Sequence, residues 1–210
     1  MNSRFANFLS VVAHPIFINL LCLILLFYLQ PSLYYGIPNK IKFYYIGYIF
    51  LLTSIIPSLS VVLMKLLGSV QNITLENKED RVLPYIVTII FYLFTYYNFR
   101  TSLLTSSILL MYLVACGLIV FSVLLINFYS KISIHMATLG ALCGLIASSA
   151  PVSMIDIRGL LIFFIVASGL VATARYSLKA HSVVQLYLGF ILGFFTMFIF
   201  LFNLVKPFTI

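Results

Sequence analysis

Ala174-Arg175-Tyr176-Ser177-Leu178-Lys179-Ala180-His181-Ser182-Val183-Val184-Gln185 is a polar island between two long apolar runs. With about 20 apolar residues taken as one crossing, the flanking runs read as two transmembrane helices, roughly 159–174 and 181–204, and the island as the turn that joins them. Charged and titratable groups are costly at a membrane boundary, so a cluster of them there is a functional candidate. A helix that begins near His181 puts Gln185 one turn further along the same face, within reach of one imidazole nitrogen. The other nitrogen is then free to attack or to donate a proton. Arg175, on the preceding chain, has a planar fork suited to phosphate. The plain alternative is a snorkelling Arg and Lys at one helix end and an interfacial His at the start of the next.

The same reading extends along the chain. The 210 residues are 63% hydrophobic and 8% charged, with mean hydropathy +1.18, which excludes a soluble domain and indicates an all-α polytopic membrane helix bundle. With about 20 residues per crossing, six or seven transmembrane helices are expected, at roughly 11–30, 43–66, 84–99, 103–127, 134–150, 159–174 and 181–204. Residues 1–210 form a single integral membrane domain, without heptads, low-complexity tracts or a clear repeat. The start of the chain has one basic residue and no small-residue cleavage pattern, so it reads as a retained helix and not a signal peptide. Pro31–Lys42 reads as a turn-rich interfacial loop, and Pro57 is expected to kink the second helix. The third helix is short, so it and the fourth form either two crossings or a re-entrant hairpin.

The net charge of +8 comes from 12 basic and 4 acidic residues, nearly all in the connections. In a soluble protein that balance would suggest nucleic acid; here it points to lipid headgroups, phosphate ligands and topology, with no nucleic-acid partner. Cys22, Cys116 and Cys143 lie singly in apolar runs and read as packing residues.

Two further polar segments fall on the same side of the membrane as the opening stretch when crossings are counted. The first, Gln71 to Pro84, holds three of the four acidic residues beside Lys78 and Arg81, and within it Asn72-Ile73-Thr74 matches a glycosylation acceptor. The second, Tyr129 to Ala137, contains Lys131, Ser133 and His135 and opens a helix rich in Ala and Gly, whose small residues suit a core position. Lys78, Arg81, Ser133, His135, Arg175, Lys179 and His181 are therefore expected at one surface. His14, before Pro15, reads as an interfacial structural residue. Lys40, Lys42, Arg100, Arg158 and Lys206 are expected to anchor the opposite face at headgroups.

Two histidines with several cations, a serine and no carboxylate cluster make a site for an anion. Metal is a poor fit, because the usual carboxylate or thiolate partners are missing nearby. Phosphoryl transfer fits better: one histidine attacks phosphorus, the other protonates the leaving oxygen, and the cations bear the charge on the remaining oxygens. Ser133 at the start of a helix adds a hydroxyl and free backbone amides. The chain contains no P-loop, dinucleotide fingerprint or kinase motif, and no cofactor is expected.

At these residues, within 76–185, the chain resembles the type 2 phosphatidic acid phosphatase family of integral membrane lipid phosphatases. The family pattern is Lys-x6-Arg-Pro, then Pro-Ser-Gly-His, then Ser-Arg-x5-His-x3-Asp. The chain keeps the order and the third spacing, Arg175-x5-His181-x3-Gln185. It compresses the first motif to Lys78-x2-Arg81-x2-Pro84, has Ile132 and Ile134 where the family has Pro and Gly, and Gln185 where it has Asp. An amide can orient the ring but does not stabilise the charged ring as a carboxylate does; in a serine protease the same exchange lowers turnover by about 10⁴. The resemblance implies His181 as nucleophile and His135 as general acid. It also implies Gln185 as the orienting group and Lys78, Arg81, Ser133 and Arg175 as phosphate ligands, with Lys131 and Lys179 as further candidates. It implies a metal-independent lipid phosphatase, through a phosphohistidine, acting on a lipid such as undecaprenyl diphosphate, phosphatidylglycerophosphate, phosphatidic acid or a lipid A phosphate.

The alternatives are a non-catalytic protein of the same fold that binds or moves lipid phosphates, and a channel or small transporter. The last would be expected to carry intramembrane acids, which the crossing helices almost lack. With the five candidate ligands set aside, Arg4 and Lys65 remain on the motif side against five cations opposite. Counting all seven motif-side cations against those five would instead put the motifs in the cytoplasm; with the ligands set aside, the family resemblance implies a site in a bacterial inner membrane facing the periplasm or exterior. Oligomeric state is left open.

Overall fold

The computed structural model describes residues 1–73, 75, 77–102 and 105–205. Thr74 of the glycosylation pattern, Glu76, the predicted helix start at 103 and Lys206 lie outside the described residues. The chain is all helical, with no strand among the described residues: α1 (Ser3–Val12), α2 (Pro15–Leu29), α3 (Pro31–Gly36), α4 (Asn39–Phe50), a π-helical turn (Leu51–Ile55) and α5 (Ile56–Leu66). A 3-10 turn (Glu79–Arg81) then opens α6 (Val82–Arg100), followed by α7 (Ser107–Tyr129), α8 (Ile134–Ser148), α9 (Arg158–Ser177) and α10 (Val183–Val205).

Five segments are long and apolar enough to cross a membrane: 39–66, 79–100, 107–129, 158–177 and 183–203. Helices α1 and α2 make a sixth span when taken together, bent by 43° at the His14-Pro15 break. The protein is therefore a polytopic membrane bundle. The segment at 79–100 is 22 residues long, so α6 and α7 each have crossing length and the re-entrant alternative is not needed. Where a loop was expected between the first two spans, α3 forms and α4 already begins at Asn39.

The predicted kink at Pro57 takes another form. Proline lacks an N–H, and in a regular α-helix its ring would collide with the carbonyl four residues back, here Thr53. The helix widens instead: the N–H of Ile56 bonds the carbonyl of Leu51, five residues back, and 39–66 continues as one 28-residue span. Freed backbone groups are taken up locally, with Thr53 Oγ1 donating to the Ile49 carbonyl and Ser58 Oγ to the Ser54 carbonyl.

At the centre lies α8, buried along most of its length and packed by α10, α2, α9 and α7. Its 15 residues span about 22 Å, short of the ~30 Å hydrocarbon core. Lipid supplies no hydrophobic drive between helices, so close packing must hold them together. Gly140 and Gly144 of α8 face the carbonyls of Phe190 and Phe194, while Gly189 and Gly193 of α10 face those of Ser133 and Ala137. A Cβ at any of the four would overlap backbone, which explains the small residues in both helices. The result is a rigid pair whose N-terminal ends lie side by side, joined by a 3.4 Å bond from the Ser133 N–H to the Gln185 carbonyl.

Candidate functional site

The end of α9 fixes Arg175. The chain leaves the helix through paired bonds, Ala180 N–H to the Arg175 carbonyl and Lys179 N–H to the Tyr176 carbonyl, a Schellman turn with Lys179 at φ 53°. That left-handed position normally takes glycine, as Gly68 does at the end of α5. The reversal delivers His181 to the start of α10 within six residues.

There a capping box forms. Gln185 N–H donates to Ser182 Oγ at 3.4 Å, and Ser182 N–H donates to Gln185 Oε1 at 3.1 Å. The backbone donor fixes which end of the amide is oxygen. The same Oε1 lies 3.3 Å from His181 Nδ1, so Nδ1 carries the proton and Nε2 keeps its lone pair. The contact expected from the four-residue spacing is present, although the helix begins at Val183 and not at His181. Gln185 thus has two tasks, one of them purely local.

Arg81 is placed by the 3-10 turn and is only 9% exposed. Its Nε donates to the Leu75 carbonyl at 2.7 Å, from a residue held at φ 51°. Arg175 Nε is buried with no partner among the described residues. The one ion pair among the described residues is Arg158–Asp156 at the opposite end, so neither Arg81 nor Arg175 is neutralised by a described carboxylate.

Arg81, Arg175, His135, His181 and His14 line a single cavity of about 290 Å³. Three polar segments far apart in sequence therefore meet, as the count of crossings required. His14 and His135 stand edge to face, ring centroids 5.7 Å apart at 87°. Arg175 lies within electrostatic reach of all three rings and of Arg81. His181 is held down to about 4, first by burial, then by Arg81 and Arg175, against a smaller opposing effect of Gln185, with Lys131 adding to the cations. Its ring is neutral at physiological pH, the form a nucleophile needs.

Five candidates stand apart from the cavity lining: Gln185, which reaches it through His181, and four others. Lys78 faces α7: its Nζ is 3.4 Å from the Phe128 carbonyl and its own carbonyl accepts from Asn127 Nδ2 at 2.7 Å, so it straps the polar segment to that helix. Lys179 is an exposed turn residue. Lys131 acts on His181 only through its charge. Ser133 occupies the N-cap position of α8 but does not cap it; its hydroxyl is fully buried without a partner among the described residues, two residues before His135.

Deeper in the cavity Asn19 is completely satisfied. Its amide donates to Thr53 Oγ1 (3.1 Å) and Ser54 Oγ (2.8 Å) at the π turn, and its oxygen accepts from Tyr112 (2.7 Å) and Tyr92 (3.4 Å). With every donor and acceptor used, this hub ties four segments together and floors the cavity. Among the described residues no group of three His, Cys, Asp or Glu could hold a metal ion.

Neither His14 nor the Asn19 hub was expected from the sequence. His14-Pro15 is itself a signal, a side-chain acceptor followed by proline at the first helical position, and Ser182-x-x-Gln185 reads as a capping box. Comparison with known protein families, with curated proteins and with solved structures finds no match.

Proposed function

We propose that the protein is a metal-independent lipid phosphatase that cleaves a membrane phosphomonoester or diphosphate through a phosphohistidine. The observation that carries this reading is the meeting of His135, His181, Arg81 and Arg175 in one cavity, with both arginines free of described carboxylates and His181 Nε2 left unprotonated. Such a cavity attracts a dianion, and its two guanidinium groups suit phosphate oxygens.

In the first step His181 Nε2 attacks phosphorus and the bond from phosphorus to the lipid oxygen breaks. His135, kept neutral by burial and Arg175, takes up a proton as the phosphate anion enters and gives it to that oxygen, and Arg81 and Arg175 hold the non-bridging oxygens. In the second step water attacks the phosphohistidine, His135 takes the water proton, the P–N bond breaks and inorganic phosphate leaves. Gln185 keeps the ring oriented through both. The substrate phosphate would enter this cavity while its tail stays in the bilayer, in the resemblance-based setting of a bacterial inner membrane with the site facing the periplasm or exterior.

A second reading, a protein that binds or moves lipid phosphates without cleaving them, is supported by Gln185 itself. Its oxygen is shared between the Ser182 amide and the imidazole, and it brings no negative charge to the ring. The test is phosphate release by the purified protein from a panel of lipid monophosphates and diphosphates, in chelator, beside His181→Ala. Release that vanishes in the variant supports the phosphatase. A folded wild-type protein that binds the lipids and releases nothing supports the second reading, and full activity in His181→Ala refutes the assigned chemistry.

A further inference from the structure

The third histidine of the cavity belongs to none of the motifs. His14 stands at the 43° break between α1 and α2, and its Nδ1 accepts the Ile16 N–H at 3.4 Å, capping α2. A ring nitrogen that accepts a backbone N–H carries no proton, so the proton of the neutral ring rides on Nε2, making that nitrogen a donor. This is the reverse of His181, where the orienting bond fixes the proton on Nδ1. The two rings that line the shared cavity are therefore opposite tautomers, one with a lone pair on Nε2 and the other with an N–H there.

The surroundings of His14 call for an anion. It lines the cavity with Arg81 and Arg175, the buried Arg175 Nε lacks a partner among the described residues, and His14 packs edge to face on His135. Among the described residues no carboxylate lines that cavity.

We propose that His14 is a substrate-contacting residue, its Nε2–H donating to a phosphate oxygen held between Arg81 and Arg175. The cavity thus has three imidazoles with separate tasks: His181 attacks, His135 moves the proton and His14 binds. Helix α1, which leads into His14 and packs against α9, becomes part of the binding site. The assignment of tasks rests on the phosphatase reading; the anion contact of His14 does not.

The discriminating substitution is His14→Asn. Asn is a strong N-cap residue, so it keeps an acceptor for the start of α2 while removing the ring. The probe is inorganic phosphate, read both as the rise in melting temperature it causes and as an inhibitor of lipid turnover. Loss of a hydrogen bond to a charged group should weaken phosphate binding about tenfold or more. The lipid KM should rise similarly with kcat within about twofold, as for an interaction made equally in ground and transition states. The melting temperature without phosphate should not change. His14→Ser, a shorter cap, serves if the first variant does not fold, and the same loss is expected. Wild-type phosphate affinity in either folded variant overturns the proposal, as does a wild-type protein that phosphate does not stabilise. A wild-type protein without turnover, whose phosphate stabilisation is still weakened by His14→Asn, refutes the phosphatase and upholds the contact.

Discussion

Gln185→Glu separates an orienting amide from a chemical one. Glu has the same length and also completes a capping box with Ser182, so the start of α10 and the 3.3 Å approach to His181 Nδ1 are kept. What changes is the charge facing the ring. A neutral hydrogen bond contributes about 0.5–1.5 kcal/mol net and one to a charged group about 1.5–3, so the positively charged ring gains roughly 1–1.5 kcal/mol over the amide. At 1.4 kcal/mol per decade that is about tenfold in kcat as a floor, with about 10⁴ as a ceiling from the protease exchange in the opposite sense. The assay is initial-rate phosphate release at neutral pH, with the melting temperature as a fold control. If the wild-type protein is silent and Gln185→Glu turns over, the chain is a binding protein one substitution from an enzyme. A folded Gln185→Glu protein no faster than an active wild type refutes the argument that Gln185 acts on His181.

Arg81→Gln removes a cation that disfavours the charged ring of His181, so the ring should take up its proton at higher pH than about 4. Because the nucleophile must be neutral, the acid limb of kcat/KM should then move to higher pH; an unmoved limb would mean that His181 does not set it. Gly193→Val drives a side chain into the backbone of Ala137 and Ala141, and overpacking of 1–3 kcal/mol or more should lower the melting temperature and turnover together. Gly169→Ala, in open space, should be tolerated or slightly stabilising, and equal damage at the two positions would contradict the tight α8–α10 seam. Lys179→Gly relieves a left-handed residue and should raise stability by about 1 kcal/mol in chemical denaturation with phosphate binding unchanged. Lost binding would return Lys179 to the site.

The spans were legible because lipid permits few alternatives: long apolar runs had to become helices, and counting them already brought Arg81, His135, Arg175 and His181 to one end. The Arg175-x5-His181-x3-Gln185 spacing was legible as well, since a Schellman turn followed by a capped helix is built from local bonds. Local pattern failed where distant segments decide orientation. Lys78 and Arg81 are three residues apart, yet one is drawn to α7 by Asn127 and Phe128 while the other is turned inward by the Leu75 carbonyl. His14 read as interfacial because its neighbours in sequence are apolar; its neighbours in space, His135 and Arg175, come from α8 and α9. Asn19, a lone polar residue in an apolar run, gave no sign of the four partners that satisfy it.

The measurement that tests the central claim most directly is covalent trapping. The purified protein is quenched in the steady state with a ³²P-labelled lipid phosphate, and the label is assigned by mass spectrometry. The account predicts an acid-labile, base-stable phosphoryl group on His181, absent from His181→Ala and more abundant at short times when hydrolysis is slowed. Label on another residue, or turnover without any label on His181, would contradict it.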